Sequence, residues 1–407
     1  MPSMRILLGC DTFYPDVNGA TRFTERLAAG LVARGHEVHV VTPATGDTEP
    51  GTRTEVIEGA PMIVHRFPSL RWYPHPWLRY TWPTVSKRLS REAIAAIKPD
   101  VVHIQSHIMN GRYLLKALRG SGIRVIATNH TMPENVLEHT SLPDPLNRLF
   151  ARWSWADVDR QLSQAARVTT PTRNAADYLE AHTRIRDVIP VSNGIDASRY
   201  TPDFSPRTEN RILFVGRVEH EKHIDVLIRA LALLPEDLDA KLDIVGDGDV
   251  GKHLHHLAQR LGVEDRVTFH GWVSDEELKA LYTSASCFAI ASIAELQSIA
   301  TLEAMSSGLP IVAADAMALP HLVEDGVNGW LFPPGDAAAA AERIERLLRL
   351  SPADRETMQR ASVAGVKVHD LGHTLDVFEA LYRGEEPRSD STRRQNASSS
   401  SAEPPQS

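Results

Sequence analysis

Cysteine is nearly absent: Cys10 and Cys287 are the only two in 407 residues. They fall in separate halves of the chain, which excludes a disulfide framework and a cysteine-based metal site. Long hydrophobic runs are missing too, and none approaches the roughly 18 to 20 residues that a membrane-spanning helix needs. The opening MPSMRILLGC carries one Arg and meets Asp11 at once, a poor leader and a good first strand. The expected location is therefore cytoplasmic. The turn after the first expected strand holds no G-x-G-x-x-G, which disfavours a classical dinucleotide site there. Nor is either half strongly basic, so bulk nucleic-acid binding is not expected.

What is present is the composition of a water-soluble α/β protein, 42% apolar and 24% charged, long enough for two cores plus extensions. The net charge of -8 is unevenly spread: residues 1–190 carry 23 Lys and Arg against 18 Asp and Glu, the remainder 21 against 34. Such a split implies that the halves face different partners. RILLGC, EVHVVT, DVVHIQ, IRVIAT and ARVTT read as buried strands, with helices over 21–34, 86–97, 111–118 and 145–164 between them. A second series of RILFVG, KLDIVG, RVTFHG, CFAIAS, LPIVAA and GWLFPP repeats the alternation. Strand alternating with helix predicts parallel sheets with covered faces, hence two Rossmann-like doubly wound domains in tandem.

The Pro-, Ser- and Asn-rich stretch IPVSNGIDASRYTPDFSPRTEN separates the series and reads as a hinge. The expected boundaries are an N-terminal domain over 1–190, a C-terminal domain over 191–368, and a helix over 369–385 that returns to the N-terminal domain. Residues 386–407, poor in apolar residues and rich in Ser and Pro, are expected to be a disordered tail.

Candidate chemistry gathers where strands end. In DTFYPDVNGATRFTE a strand gives way to Asn18-Gly19 and a helix, an arrangement that serves anions or is an ordinary βα turn. His130 emerges at the carboxyl edge of IRVIAT, where open α/β sheets bind ligands, although a lone histidine is more often structural. His103 and His107 on the neighbouring strand make a three-histidine metal site conceivable, but no spacing supports it. In GRVEHEK, Gly216, Arg217 and Lys222 follow a strand; the two cations either clamp a diphosphate or belong to a solvated cluster with Glu219 and Glu221. GDGD at 246–249 is a further strand-end turn where glycine permits close approach.

AELQSIATLEA raises the sharpest question, because Glu295 and Glu303 lie eight positions apart in an otherwise apolar run. With a helix over LQSIATLEAMSSG, Glu295 precedes it and Glu303 lies about two turns in, some 9 to 10 Å along. A helix N-terminus between two carboxylates suits a bound phosphate with hydroxyl-bearing groups on either side, as in a nucleotide sugar. The bland alternative is a first-turn acid and a helix-surface residue.

An ordered set of segments carries a family resemblance: DTFYPDVNG, DVVHIQSH, TNH, SNGID, GRVEHEK, IVGDGD, FHGWV, AELQSIATLEAMSSGLP and DGVNGWLFPPGD, covering nearly all of residues 4–383. The chain resembles retaining glycosyltransferase family 4, whose GT-B fold sets two Rossmann-like domains across a central cleft. The resemblance implies that the Gly19 loop lets backbone approach the donor diphosphate and that His130 contacts the transferred sugar. It implies that Arg217 and Lys222, beside Gly216, neutralise the leaving diphosphate. Glu295 would hold sugar hydroxyls, the backbone of Leu296, Gln297, Ser298 and Ile299 would bind sugar and phosphate, and Glu303 would bind the ribose. It implies a metal-independent hexosyltransferase needing no cofactor beyond its nucleoside-diphosphate-sugar donor, UDP or GDP linked to glucose or mannose. A sucrose- or trehalose-type synthase, a nucleotide-sugar epimerase, or a silent nucleotide-sugar-binding module are the alternatives.

Four positions depart from the family pattern. Asn18 replaces the first of a usual Gly pair, His223 and Ser298 replace glycines, and His321 replaces a frequent glutamate. The acceptor is read from RFPSLRWYPHPWLRYTW, where Trp72, Trp77 and Trp82 interleave with Arg66, Arg71 and Arg79, and from LNRLFARWSW. Amphipathic aromatics among cations suit an anionic membrane surface and a lipid acceptor, unless they fill the core or cover sheet edges.

Overall fold

Residues that alternate β-branched runs with amphipathic segments fold here into two parallel sheets, each covered by helices. A computed structural model of the chain describes residues 2–16, 18–71, 79–132 and 144–387. The tail expected from residue 386 lies outside the described residues from 388 onward, as do Trp72 and Trp77.

The first ten strands are β1 (Arg5–Gly9), β2 (Glu37–Pro43), β3 (Gly51–Ile57), β4 (Ala60–Phe67), β5 (Leu70–Arg71), β6 (Arg79–Tyr80), β7 (Val101–Ile104), β8 (Arg124–Thr128), β9 (Arg167–Thr170) and β10 (Ile189–Pro190). All but β5 and β6, which pair with each other, form one sheet in the order β10-β9-β8-β7-β1-β2-β4-β3. Its strands are parallel except β3, which runs antiparallel to β4. The helices are α1 (Gly19–Ala33), α2 (Pro83–Ile97), α3 (Asn110–Leu118), α4 (Asp144–Leu162) and α5 (Arg173–His182).

The second sheet runs β13-β12-β11-β14-β15-β16, all parallel. Its strands are β11 (Arg211–Val215), β12 (Lys241–Val245), β13 (Val267–Gly271), β14 (Cys287–Ile290), β15 (Ile311–Ala314) and β16 (Gly329–Phe332). Around it lie α6 (Ile224–Leu233), α7 (Gly251–Leu261), α8 (Asp275–Ser284), α9 (Ile299–Ser306), α10 (Ala337–Leu348) and α11 (Pro352–Val366). The last helix, α12 (Leu371–Arg383), leaves this unit and packs Leu375, Phe378, Leu381 and Tyr382 among Ile6, Leu8, Phe23 and Leu27 of the first.

Both sheets reverse their strand order once, between β1 and β7 and between β11 and β14. Strand ends diverge at such a point and leave a crevice at the carboxyl edge. Segments far apart in sequence are brought together there: the turns after β1 and β7 in one sheet, and those after β11 and β14 in the other.

The hairpin β3–β4 was not among the expected strands. It turns at Glu58 and Gly59, both with positive φ. Arg66, taken from sequence as one of the cations facing a membrane, is buried. Its guanidinium donates twice to Glu55, at 2.7 and 2.6 Å, and once to the Tyr14 carbonyl at 2.8 Å. Trp155 is buried against His182, whereas Trp82 and Trp153 are exposed. Among the described residues no helix is long and apolar enough to cross a membrane.

Candidate functional site

A cleft of about 230 Å³ opens between the two units. Nine of the candidate residues line it, Gly19, Gly216, Arg217, Lys222, Glu295, Gln297, Ser298, Ile299 and Glu303, with Asn18 beside Gly19. They converge because β11 and β14 are hydrogen-bonded neighbours, so the turns that follow them share one edge.

On the first unit, the Asn18 side chain caps α1 by accepting from the Thr21 amide at 2.9 Å. The departure from a glycine pair thus supplies a helix cap. A Cβ placed on Gly19 would meet nothing within 4 Å, so this turn faces open cleft rather than packed protein. The GDGD turn differs. A Cβ on Gly246 would come 2.0 Å from the Gly216 carbonyl oxygen, and one on Gly248 2.3 Å from that of Val218. Those glycines seat one strand-end turn on another; the approach they permit is protein to protein.

Arg217 donates to Glu219 at 2.6 Å and to Glu221 at 2.7 Å. Both carboxylates are buried, so the solvated charge cluster considered from sequence is instead an internal bracket that fixes the guanidinium. Lys222 Nζ donates to Glu295 Oε1 at 2.7 Å. An ammonium has three donors and a guanidinium five, so both cations retain N–H groups for a ligand oxygen. His223 follows at φ +47°, in the left-handed region, which explains a glycine preference at this position.

Helix α9 begins at Ile299, with Ser298 as its N-cap accepting from the Thr301 amide at 3.2 Å and the Thr301 hydroxyl at 2.8 Å. This corrects the sequence expectation of a helix from Leu296. Glu303 is the fifth helical residue, about 6 Å from the start rather than 9 to 10 Å. The cap competes with helix geometry for residues 295–297, which run as a loop. Leu296 does not line the cleft; its side chain packs on Met132 and Ala175 of the first unit, and its carbonyl accepts from the Thr172 hydroxyl at 3.0 Å. Gln297 reaches the other way, with Oε1 accepting from the Asn193 amide at 2.6 Å and Nε2 donating to Ser192 Oγ at 3.0 Å.

His130 stands apart from the cleft lining. Its Nε2 bonds Gln105 Oε1 at 2.9 Å, and its ring lies 5.0 Å from that of Phe23. Burial pushes its pKa down to about 3, so the ring is neutral in the physiological range. With Gln105 Oε1 as acceptor, Nε2 carries the proton and Nδ1 remains an acceptor. His103 spends both ring nitrogens elsewhere, on Tyr382 at 2.8 Å and Thr128 at 2.7 Å. Among the described residues no cluster of three or more His, Cys, Asp or Glu has metal-binding geometry.

Sequence reasoning missed what surrounds Glu303. Its Oε1 accepts from Arg26 Nη2 at 2.6 Å, across the cleft, and its Oε2 lies 3.1 Å from the Tyr282 hydroxyl. Tyr200 lies near it, and burial together with the nearby carboxylate pushes that phenol above its ordinary pKa. Burial disfavours the Arg26 charge, but Glu303 more than offsets this and holds the guanidinium above its usual range. Beside them Glu58 pairs with Arg199 at 2.6 Å and Arg22 at 3.6 Å. The available signal was Arg22 and Arg26, four apart on α1 just after the Gly19 turn.

Residues 17–199 match the family model described as Glycosyltransferase Family 4, and residues 202–364 that described as Glycosyl transferases group 1. The chain is 40% identical over 351 residues to an uncharacterized glycosyltransferase of Methanocaldococcus jannaschii, covering 81% of this chain and 85% of the relative. It is 30% identical over 338 residues to a GDP-mannose-dependent alpha-mannosyltransferase of Mycolicibacterium smegmatis, covering 81% and 84%. It is 25% identical over 393 residues to alpha-monoglucosyldiacylglycerol synthase of Streptococcus pneumoniae, covering 90% and 85%. Among solved structures, sucrose-phosphate synthase from Thermosynechococcus elongatus superposes with a TM-score of 0.76 at 20% identity, over 94% of this chain and 98% of that one. The shared architecture is the GT-B fold.

Proposed function

From the premise that the chain belongs to the group 1 glycosyltransferases of family 4, enzymes that draw on nucleotide sugars, we propose that it moves glucose or mannose from a UDP- or GDP-linked donor to a hydroxyl acceptor. The observation that carries this reading is the convergence of Arg217, Lys222, Glu295, the capped N-terminus of α9 and Glu303 on one cleft.

The chemistry follows from charge. When the bond between sugar and diphosphate breaks, negative charge grows on the diphosphate. Arg217 and Lys222 stand where they can neutralise it, fixed by Glu219, Glu221 and Glu295 before the donor arrives. Donors that are already oriented cost little reorganisation in the transition state. The amides at the start of α9 add a positive dipole end. Glu295 holds sugar hydroxyls while Lys222 holds Glu295, and Glu303 takes the ribose. The family resemblance adds His130, neutral and with Nδ1 still an acceptor, as a partner for a sugar hydroxyl, although it stands outside the cleft lining of this structure. With no side chain cast as a covalent nucleophile, the acceptor hydroxyl attacks on the face the diphosphate leaves and passes its proton to the departing diphosphate oxygen, and the product retains the donor's anomeric configuration. The protein requires no metal in this reading, since the two cations do the neutralising.

A lipid acceptor is supported by the name of the pneumococcal relative and by the first half of α4. There Leu146, Leu149 and Trp153 are exposed among the exposed Arg148 and Arg152. Apolar residues beside cations suit the headgroup region of an anionic bilayer.

The test is to incubate the protein with UDP-glucose or GDP-mannose, each with diacylglycerol or phosphatidylinositol in anionic vesicles and with soluble polyols. The linkage of the product is then assigned by NMR. An α-linked glycoside from an α-linked donor is expected. A β-linked product, free epimerised nucleotide sugar, or tight donor binding without transfer to any hydroxyl would overturn the proposal. Flotation of the protein with anionic but not neutral vesicles is expected at low salt. Failure to float would remove the membrane from the reading.

A further inference from the structure

Arg26 has one partner and two idle donors. Its side chain is 9% exposed, and its Nη2 donates to Glu303 Oε1 at 2.6 Å. Its Nε and Nη1 are buried and reach no acceptor among the described residues. A buried N–H without an acceptor is costly and rare, so two on one side chain that lines a ligand cleft point to a ligand oxygen.

The pairing with Glu303 narrows what that oxygen is. A hydroxyl both donates and accepts; a carboxylate only accepts, and a guanidinium only donates. Side by side they offer a hydroxyl both halves of its hydrogen bonding. Glu303 alone is poorly equipped for two hydroxyls, because Arg26 Nη2 already lies 2.6 Å from its Oε1 and the Tyr282 hydroxyl 3.1 Å from its Oε2. Arg26 supplies what is missing.

We propose that Arg26 is a donor-specificity residue: with Glu303 it reads the vicinal hydroxyls of the nucleotide's ribose, each hydroxyl donating to the carboxylate or accepting from the guanidinium. This rests on Glu303 being the ribose contact. The two residues lie 277 positions apart, one on α1 of the first unit and one on α9 of the second. The ribose is therefore recognised only while the two units face each other across the cleft, and recognition of the nucleoside is coupled to domain closure.

The experiment is calorimetric titration of the full chain with UDP, GDP and their 2′-deoxy counterparts. The tighter of the two ribonucleotides is expected to bind at least about tenfold better than its deoxy form, the usual size of discrimination by a charged hydrogen bond. In Arg26→Met the ribonucleotide weakens while the deoxynucleotide hardly changes, so the preference falls to about threefold or less. Removing Arg26 leaves Glu303 buried without its cation, and that variant can fold poorly. Arg26→Lys keeps the charge but lacks the planar fork, and it is expected to fold normally and still lose most of the preference.

Equal weakening of both nucleotides in these variants would mean that Arg26 only holds the units together, and the proposal fails. It fails too if the preference survives intact. If Glu303→Gln leaves ribonucleotide binding unchanged, the ribose reading of Glu303 falls and takes the proposal with it. If Glu303→Gln weakens binding but the Arg26 variants keep the preference, only the Arg26 role is lost. Absence of binding by either ribonucleotide to the parent protein overturns both.

Discussion

Glu25 lies on α1 between the cleft-lining Arg22 and Arg26, and its carboxylate is almost wholly shielded from water. Burial pushes its pKa up to about 7, with Glu58 adding to the rise and Arg22 and Arg26 opposing it. The folded chain therefore keeps a proton on Glu25 between about pH 4.5 and 7 that the unfolded chain has released. Where the native state binds more protons, stability falls as pH rises, so this residue costs the fold above neutrality and nothing near pH 4. Glu25→Gln is expected to match the parent at pH 4 to 5 and to exceed it by roughly 1–3 kcal/mol at pH 8. Urea unfolding at both pH values measures the difference, and a gain of equal size at each would refute the assignment. Neither Glu25 nor Arg26 was legible in the sequence. Charges on an amphipathic helix normally face solvent; Arg26 meets Glu303 of the opposite unit and Glu25 has Glu58 of the β3–β4 hairpin near it, and neither approach leaves a trace in local periodicity.

Among elements, the strands with continuous apolar runs were legible because both faces of a parallel strand are buried. Strand β3 was not. Its residues GTRTEVI are exposed at all positions but Glu55 and Ile57, as befits a sheet edge, so no apolar alternation announces it. The start of α9 was misplaced for a related reason: Leu296 and Gln297 are buried like helix residues, but against the first unit and the interdomain linker. Ser298 decides where the helix begins. Removing its hydroxyl in Ser298→Ala is expected to cost about 1 kcal/mol, whereas Ser298→Gly, at a cap position that tolerates glycine, costs only a few tenths. Denaturant midpoints for the two variants check this. Were Ala as stable as Ser, the hydroxyl would not be the cap, and a direct role in admitting the sugar would become the better account of this departure from glycine.

At the scale of the whole molecule, the chain passes between the units twice, and the two passages are stitched together. The Ile195 amide donates to the His369 carbonyl at 2.8 Å, and the Leu371 amide to the Ile195 carbonyl at 3.1 Å. Gln297 ties the loop after β14 to this same seam through Asn193 and Ser192. The second passage delivers α12, whose Phe378 is fully buried in the core under β1 and β8. A helix over 369–385 returning to the N-terminal domain was expected, but the residues it packs among were not legible, since amphipathicity states that a face is buried and not against what. The consequence is that the first sheet depends on residues from the far end of the chain. Truncating a buried phenylalanine costs about 3–5 kcal/mol through lost transfer energy and the cavity left behind. Phe378→Ala should therefore unfold the first sheet ahead of the second, although the substitution lies beyond every strand of both. Hydrogen exchange is expected to show protection lost in β1, β7 and β8 and kept in β11, β12 and β14. Uniform loss across both sheets would mean that the units unfold as one. In that case the seam at Ile195 and His369, rather than the core that α12 completes, would set the stability of the molecule.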